Sequence, residues 1–233
     1  MNLKVPGIWK ALALSLLLLA SCAGASGGSP PAFSQDSYEE AFEAPAPDEE
    51  AIQRSERAYY DLLERHTQRG RPYRDRFDTP VAYWASYLSW PLQLCETKAL
   101  ARRLLWNEPK WNEALAKARE RWKQKIVFRI DLYTERLDEN RIGAGKNFPW
   151  NAYLALPGGE RLEPTRAIER TGAESEKLWL YPPHNRYSKL YEIEFDRPAA
   201  PLAPDAATSL EITGREGTSA TQWYLGRDGG AAE

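Results

Sequence analysis

Cysteine, histidine and methionine are all scarce in this chain, with two Cys, two His and one Met in 233 residues. Two cysteines cannot build a disulfide-dense scaffold, and two histidines cannot make a His-rich metal cage. Charge of one sign is lacking as well. The 31 Lys and Arg face 33 Asp and Glu, for a formal charge of −2, which excludes a strongly basic nucleic-acid binder and a polybasic membrane-surface protein. No apolar run reaches the roughly 20 residues that a membrane-spanning helix needs. Gly-rich phosphate loops, dinucleotide fingerprints and base-stacking motifs are missing too, so nothing calls for a nucleotide, another cofactor or a metal. What the chain does have is 42% hydrophobic residues, including nine Trp and twelve Tyr, enough to support a real core.

The first 22 residues carry an address. Lys4 and Lys10 precede the short apolar run Ala11 to Ala20, which has about half the length needed to cross a bilayer and fits the core of an export signal. At its end, Leu19-Ala20-Ser21-Cys22 resembles the lipobox of bacterial lipoproteins. That resemblance covers the signal segment alone. It implies cleavage before Cys22, a diacylglyceryl thioether on the Cys22 sulfur and further acylation (palmitate or a similar chain) of the freed amine. Each buried methylene contributes about 0.8 kcal/mol, so more than one chain makes a durable membrane anchor. Ala23 is not the aspartate that retains such proteins in the inner membrane of enteric bacteria. The expected location is therefore the cell envelope, on the periplasmic face of the outer membrane if the source is Gram-negative. With Cys22 acylated, Cys95 has no intramolecular partner and reads as an inert buried thiol.

Composition then divides the chain into a signal peptide (1–21), a lipidated N-terminus and disordered tether (22–47), a helical region (48–124), a β-sandwich (125–228) and a flexible tail (229–233). The tether is rich in Gly, Ser, Pro and acid, with too little apolar surface to repay its ordering entropy. Asp48 opens a helix whose apolar face carries Ile52, Tyr59, Leu62, Leu63 and His66, and which Gly70 and Pro72 end. Arg69 to Arg76 reads as a basic, solvated connector. A second helical stretch is expected from Thr79-Pro80 to about Trp106, divided by Pro91, with Ser89 able to cap the second piece. Pro109 suits the first turn of a third helix, striped by Trp111, Leu115, Ala118 and Trp122.

At Lys125 the hydrophobic period switches to two. Ile126, Phe128, Ile130 and Leu132 alternate with Val127, Arg129, Asp131 and Tyr133, as in a half-buried strand. Phe148 to Leu156 repeats the device and ends at the turn signal Pro157-Gly158-Gly159-Glu160. Further strands are expected at 165–170, 177–181, 187–196, 209–213 and 220–225. The fold class that follows is α+β: N-terminal helices packed on a C-terminal antiparallel β-sandwich of immunoglobulin-like architecture, without the Cys and Trp hallmark of that family.

Catalytic constellations do not emerge from this reading. Neither histidine sits in a nucleophile setting. Glu192 and Glu194 share a strand face and read as a solvated pair. Asp138 to Asn140 with Asp131 or Glu135 offers oxygens for calcium but no loop geometry to support it. The candidate binding residues are the proline-stiffened loop Tyr181, His184, Asn185 and Arg186, together with Trp150 and Trp179. The chain is thus expected to be a non-catalytic envelope lipoprotein, a binding or assembly component that meets the membrane through Cys22 and a protein complex or cell-wall glycan through its body. The alternative expectation is a glycan-binding or glycan-processing periplasmic protein.

Overall fold

Among the residues that the structure describes, three α-helices and ten strands follow one another in an order that the local sequence only partly announces. The computed structural model describes residues 49–72, 81–171, 181, 187–198, 202, 206–215 and 217–225. Helix α1 spans Glu49–Arg65, followed by strands β1 (Thr67–Gly70) and β2 (Ala82–Tyr87), then helices α2 (Trp90–Arg103) and α3 (Glu108–Gln124). The remaining strands are β3 (Ile126–Tyr133), β4 (Ile142–Gly143), β5 (Trp150–Ala155), β6 (Arg161–Leu162), β7 (Arg166–Arg170), β8 (Ser188–Phe195), β9 (Thr208–Gly214) and β10 (Gly217–Trp223). The chain is α+β.

The first sheet has the order β1-β2-β3-β8-β7 and is antiparallel throughout. The second has the order β10-β9-β5-β4, with β6 also paired to β5 and a single short parallel pair between β4 and β5. Alternation places Tyr83, Ala85, Ile126, Phe128, Ile130, Leu132, Ile193 and Phe195 of the first sheet in one cluster with Trp150, Ala152, Leu154, Leu210, Ile212 and Trp223 of the second. Phe128 meets Trp223 edge-on at 5.3 Å between ring centroids, the favoured geometry for an aromatic pair. Each fully buried large apolar side chain contributes about 1.5–3 kcal/mol, and this cluster is the main source of stability.

The other face of the first sheet is also covered. Tyr59, Leu62 and Leu63 of α1 and Leu92, Cys95, Ala99 and Leu100 of α2 form a second cluster with Val127 of β3 and Leu190 of β8. The central strand β3 is therefore buried on both faces, with only Tyr133 partly open. This corrects the half-buried expectation: Arg129 and Asp131 are both buried, Arg129 against Glu96 of α2 and Asp131 against Ser188 of β8.

Two further expectations are overturned. Residues 82–87 form strand β2, not helix, because β3 supplies a full ladder from Ala82↔Tyr133 to Tyr87↔Phe128 and its partners outweigh a weak local preference. Helix α1 stops at Arg65, and Thr67 to Gly70, where the sequence predicts the end of that helix and the start of a basic connector, pair with β2 as an edge strand. Gly70 allows this approach, since a Cβ there would fall inside the Tyr83 ring. The helix signals after Tyr87 act as their chemistry requires. Ser89 Oγ accepts from the Leu92 amide at 3.3 Å, and Pro91 lies in the first turn, where its missing N–H is harmless. Asn107 Oδ1 caps α3 by accepting from the Lys110 amide at 3.1 Å. Among the described residues no helix is long and apolar enough to cross a membrane.

Candidate functional site

Charged residues on the outer face of the first sheet gather under α2 and α3. Register sets Arg129 of β3 opposite Glu192 of β8, and alternation puts Glu194 on the same face two residues on. Arg129 Nη2 donates to Glu96 of α2 at 2.9 Å and to Glu192 at 3.0 Å. Arg170 at the end of β7 reaches Glu192 at 2.6 Å. From above, Arg121 of α3 donates to Glu192 at 2.8 Å and to Glu194 at 2.7 Å, and Lys125 adds a contact to Glu194 at 2.8 Å. Glu192 is 3% exposed, so the expectation of a solvated pair fails: α3 roofs these carboxylates.

The electrostatics follow from that closure. Burial by itself would raise the Glu192 carboxyl, but the guanidiniums of Arg129, Arg121 and Arg170 hold it well below the usual carboxylate range. Glu194 is held low in the same way, against its own desolvation, by Lys125 and Arg121. A carboxyl kept ionised cannot donate a proton, and glycoside hydrolysis needs one member of its pair protonated. This network fastens the helices to the sheet; it does not supply an acid. Tyr181 completes its surroundings, with its ring 5.7 Å from the Arg129 guanidinium and its hydroxyl 2.8 Å from Ser86 Oγ.

Beside the network, α2 and α3 leave an open groove of about 480 Å³ lined by Trp90, Leu94, Lys98, Trp111, Leu115, Ala116 and Arg119. Trp90 packs against Trp122 at 6.1 Å between ring centroids. Lys98 Nζ lies 5.9 Å from the Trp111 ring, and the Arg119 guanidinium 5.9 Å from the Trp90 ring, both at cation–π range. The lining is apolar with a cation at each end.

The sequence-predicted binding residues do not converge. Trp150 is 2% exposed in the core between the sheets, packed over Gly214, where it cannot stack on a sugar. Tyr181 is 1% exposed beneath the helices and faces Arg129 instead of solvent. Cys22, Trp179, His184, Asn185 and Arg186 lie outside the described residues. Asp131 is buried and accepts from Ser188 Oγ at 2.9 Å, while Asn140 donates to the Tyr187 carbonyl at 3.0 Å. Among the described residues no group of three or more His, Cys, Asp or Glu could hold a metal ion. His66 is buried with Nδ1 2.9 Å from the Leu62 carbonyl, as a structural histidine at a helix end. The groove residues Lys98 and Arg119 are not among the binding candidates that sequence reasoning singles out. The signal was available, because Trp90, Leu94 and Lys98 repeat at i, i+4 and i+8, as do Trp111, Leu115 and Arg119.

No family model matches the chain, and no curated protein matches it. A solved structure of a novel protein of unknown function from Burkholderia pseudomallei K96243 is similar over 85% of this chain and 96% of its own, at 11% identity and a TM-score of 0.42.

Proposed function

We propose that this chain is a lipid-anchored protein of the bacterial cell envelope that acts as a non-catalytic binding or assembly component. Leu19-Ala20-Ser21-Cys22 carries the reading, because charged, apolar and small residues precede Cys22 in the order a lipoprotein signal requires. The body supports the second half of the proposal. Its buried carboxylates are matched by cations that keep them ionised, and its open groove offers apolar surface and positive charge in place of an acid–base pair. The immunoglobulin-like sandwich belongs to the same proposal, supported by two antiparallel-rich sheets that feed one core.

Intact-mass analysis of protein extracted from native envelopes tests the anchor. The expected species begins at Cys22 and carries a diacylglyceryl group with a further acyl chain, and Cys22→Ser should leave the membrane fraction. A chain that starts at Met1, or a free thiol at position 22, would overturn the reading.

A further inference from the structure

Leu105, in the turn between α2 and α3, is 69% exposed, and among the described residues it alone has a positive φ, 49°, without being glycine. The turn itself is an ordinary helix ending. The Trp106 amide donates to the Ala101 carbonyl at 2.8 Å and the Leu105 amide to the Arg102 carbonyl at 3.3 Å, a pattern whose left-handed position glycine usually fills. Leucine there is unfavourable twice over, with a strained backbone and an apolar side chain in water. Its neighbours hold it in place. Trp106 packs on the cluster beneath α1 and α2 with Lys110 Nζ 4.6 Å from its ring, and Asn107 caps α3.

The position of this turn gives the exposed leucine a use. Helices α1 and α2 run antiparallel: the carbonyl of His66, just past the end of α1, accepts from the Tyr87 amide just before α2 begins, whereas Ser55 and Glu56 of α1 meet Arg102 and Arg103 at the end of α2. Glu49, six residues before Ser55, lies about 9 Å farther in the same direction. The chain therefore enters α1 at the end of the body that carries Leu105, and Ile52, one turn before Ser55 and only partly buried, is at that end too.

We propose that Leu105 enters the bilayer that holds the lipid on Cys22, an inference that rests on the reading of this chain as a lipoprotein. Residues 22–47 join that lipid to α1, so the anchor keeps this end of the body near the membrane. A single leucine is a weak membrane ligand alone, but the anchor makes its contact intramolecular, and a weak second contact then suffices to orient the body. Arg103 and Lys110 are balanced by Glu56 and Glu108 around the turn, which favours insertion among acyl chains over attraction to anionic headgroups.

The test uses the full-length acylated protein in phosphatidylcholine vesicles whose acyl chains carry a nitroxide. An environment-sensitive dye is placed on Lys110→Cys beside the turn or, as control, on Lys123→Cys, exposed and about 20 Å along α3. Quenching is expected at position 110 and not at 123. Leu105→Gly should lower the docked-to-free ratio read from that quenching roughly ten-fold while holding or raising the melting temperature, because glycine suits the φ of 49°. A purely structural role for Leu105 would lower the melting temperature instead, and that result overturns the inference. So does an unquenched dye at position 110, equal quenching with leucine and glycine, or shielding that follows protein concentration and not lipid, which would assign the turn to a second copy of the chain. Intact mass reads the acylation in the same sample. An acylated chain with a water-exposed turn sinks this inference alone, whereas an unacylated Cys22 sinks the lipoprotein reading and this inference with it.

Discussion

Arg129 and Glu96 join the central strand to the helix above it: Nη2 lies 2.9 Å from one carboxylate oxygen and 3.2 Å from the other. The same nitrogen reaches Glu192 at 3.0 Å. Taking these charges out of water is costly, and the cost is offset only while every partner is present. Tyr59 shares the pocket, and burial, reinforced by Glu96, pushes its hydroxyl pKa well above the ordinary value.

Arg129→Met therefore strands the buried Glu96 carboxylate and takes one of three cations from Glu192, and should lower the unfolding free energy by about 3–5 kcal/mol, read by urea denaturation. Adding Glu96→Gln to that variant should cost less than the sum of the two single changes, because the second removes a charge already left unpaired. Additive losses would show that the pair contributes nothing as a pair.

Acid should act through the same cluster. Glu192 and Glu194 both titrate lower in the folded chain than their ordinary value, which is about 4.3 when unfolded. Their contribution is complete above that unfolded value and is lost as the pH falls below it toward the folded values. The urea midpoint is expected to hold steady between roughly pH 7 and 5 and to drop below about pH 4. Glu192→Gln should flatten that drop, and an unchanged acid limb in the variant would contradict the assignment.

Cys95 is buried between α2 and the first sheet, and burial pushes its thiol up to about 12. A thiolate is the reactive form, so an aromatic disulfide reagent at pH 8 should fail to modify Cys95 in the native protein and should react fully in denaturant. Rapid native labelling would show that the helical layer opens readily over this strand.

Trp150 fills the space between the sheets, and Trp150→Ala should cost about 3–5 kcal/mol through a cavity rather than through a lost ligand contact. Gly214→Ala attacks the same packing from the other side, because a Cβ at that position would run into the Trp150 ring and the Pro149 carbonyl. Thermal melts of the two variants should both fall well below the parent, while Tyr153→Ala, on the opposite face of β5 and only half-buried, should shift much less.

Local chemistry was readable where it is local. Ser89, Asn107 and Pro109 mark helix starts by satisfying or dispensing with first-turn N–H groups, and Gly158-Gly159 marks a turn by adopting positive φ at both residues. The strand at Ile126–Tyr133 announces itself by its period of two. Its arginine and aspartate read as solvent-facing because alternation tells which residues share a face, not what lies over that face.

The lipobox-like order of residues at Cys22, the starts of α2 and α3, and the alternating faces of β3, β5 and β8 were legible in the letters alone, because each depends on neighbours within a few residues. Long-range packing was needed to make 82–87 a strand, to roof Glu192 and Glu194 with Arg121, and to set Trp90 and Trp111 beside one groove. Those outcomes depend on partners about 20 to 70 residues away, and the free energy of a ladder, an ion pair or a packed indole exists only once distant segments have been brought together.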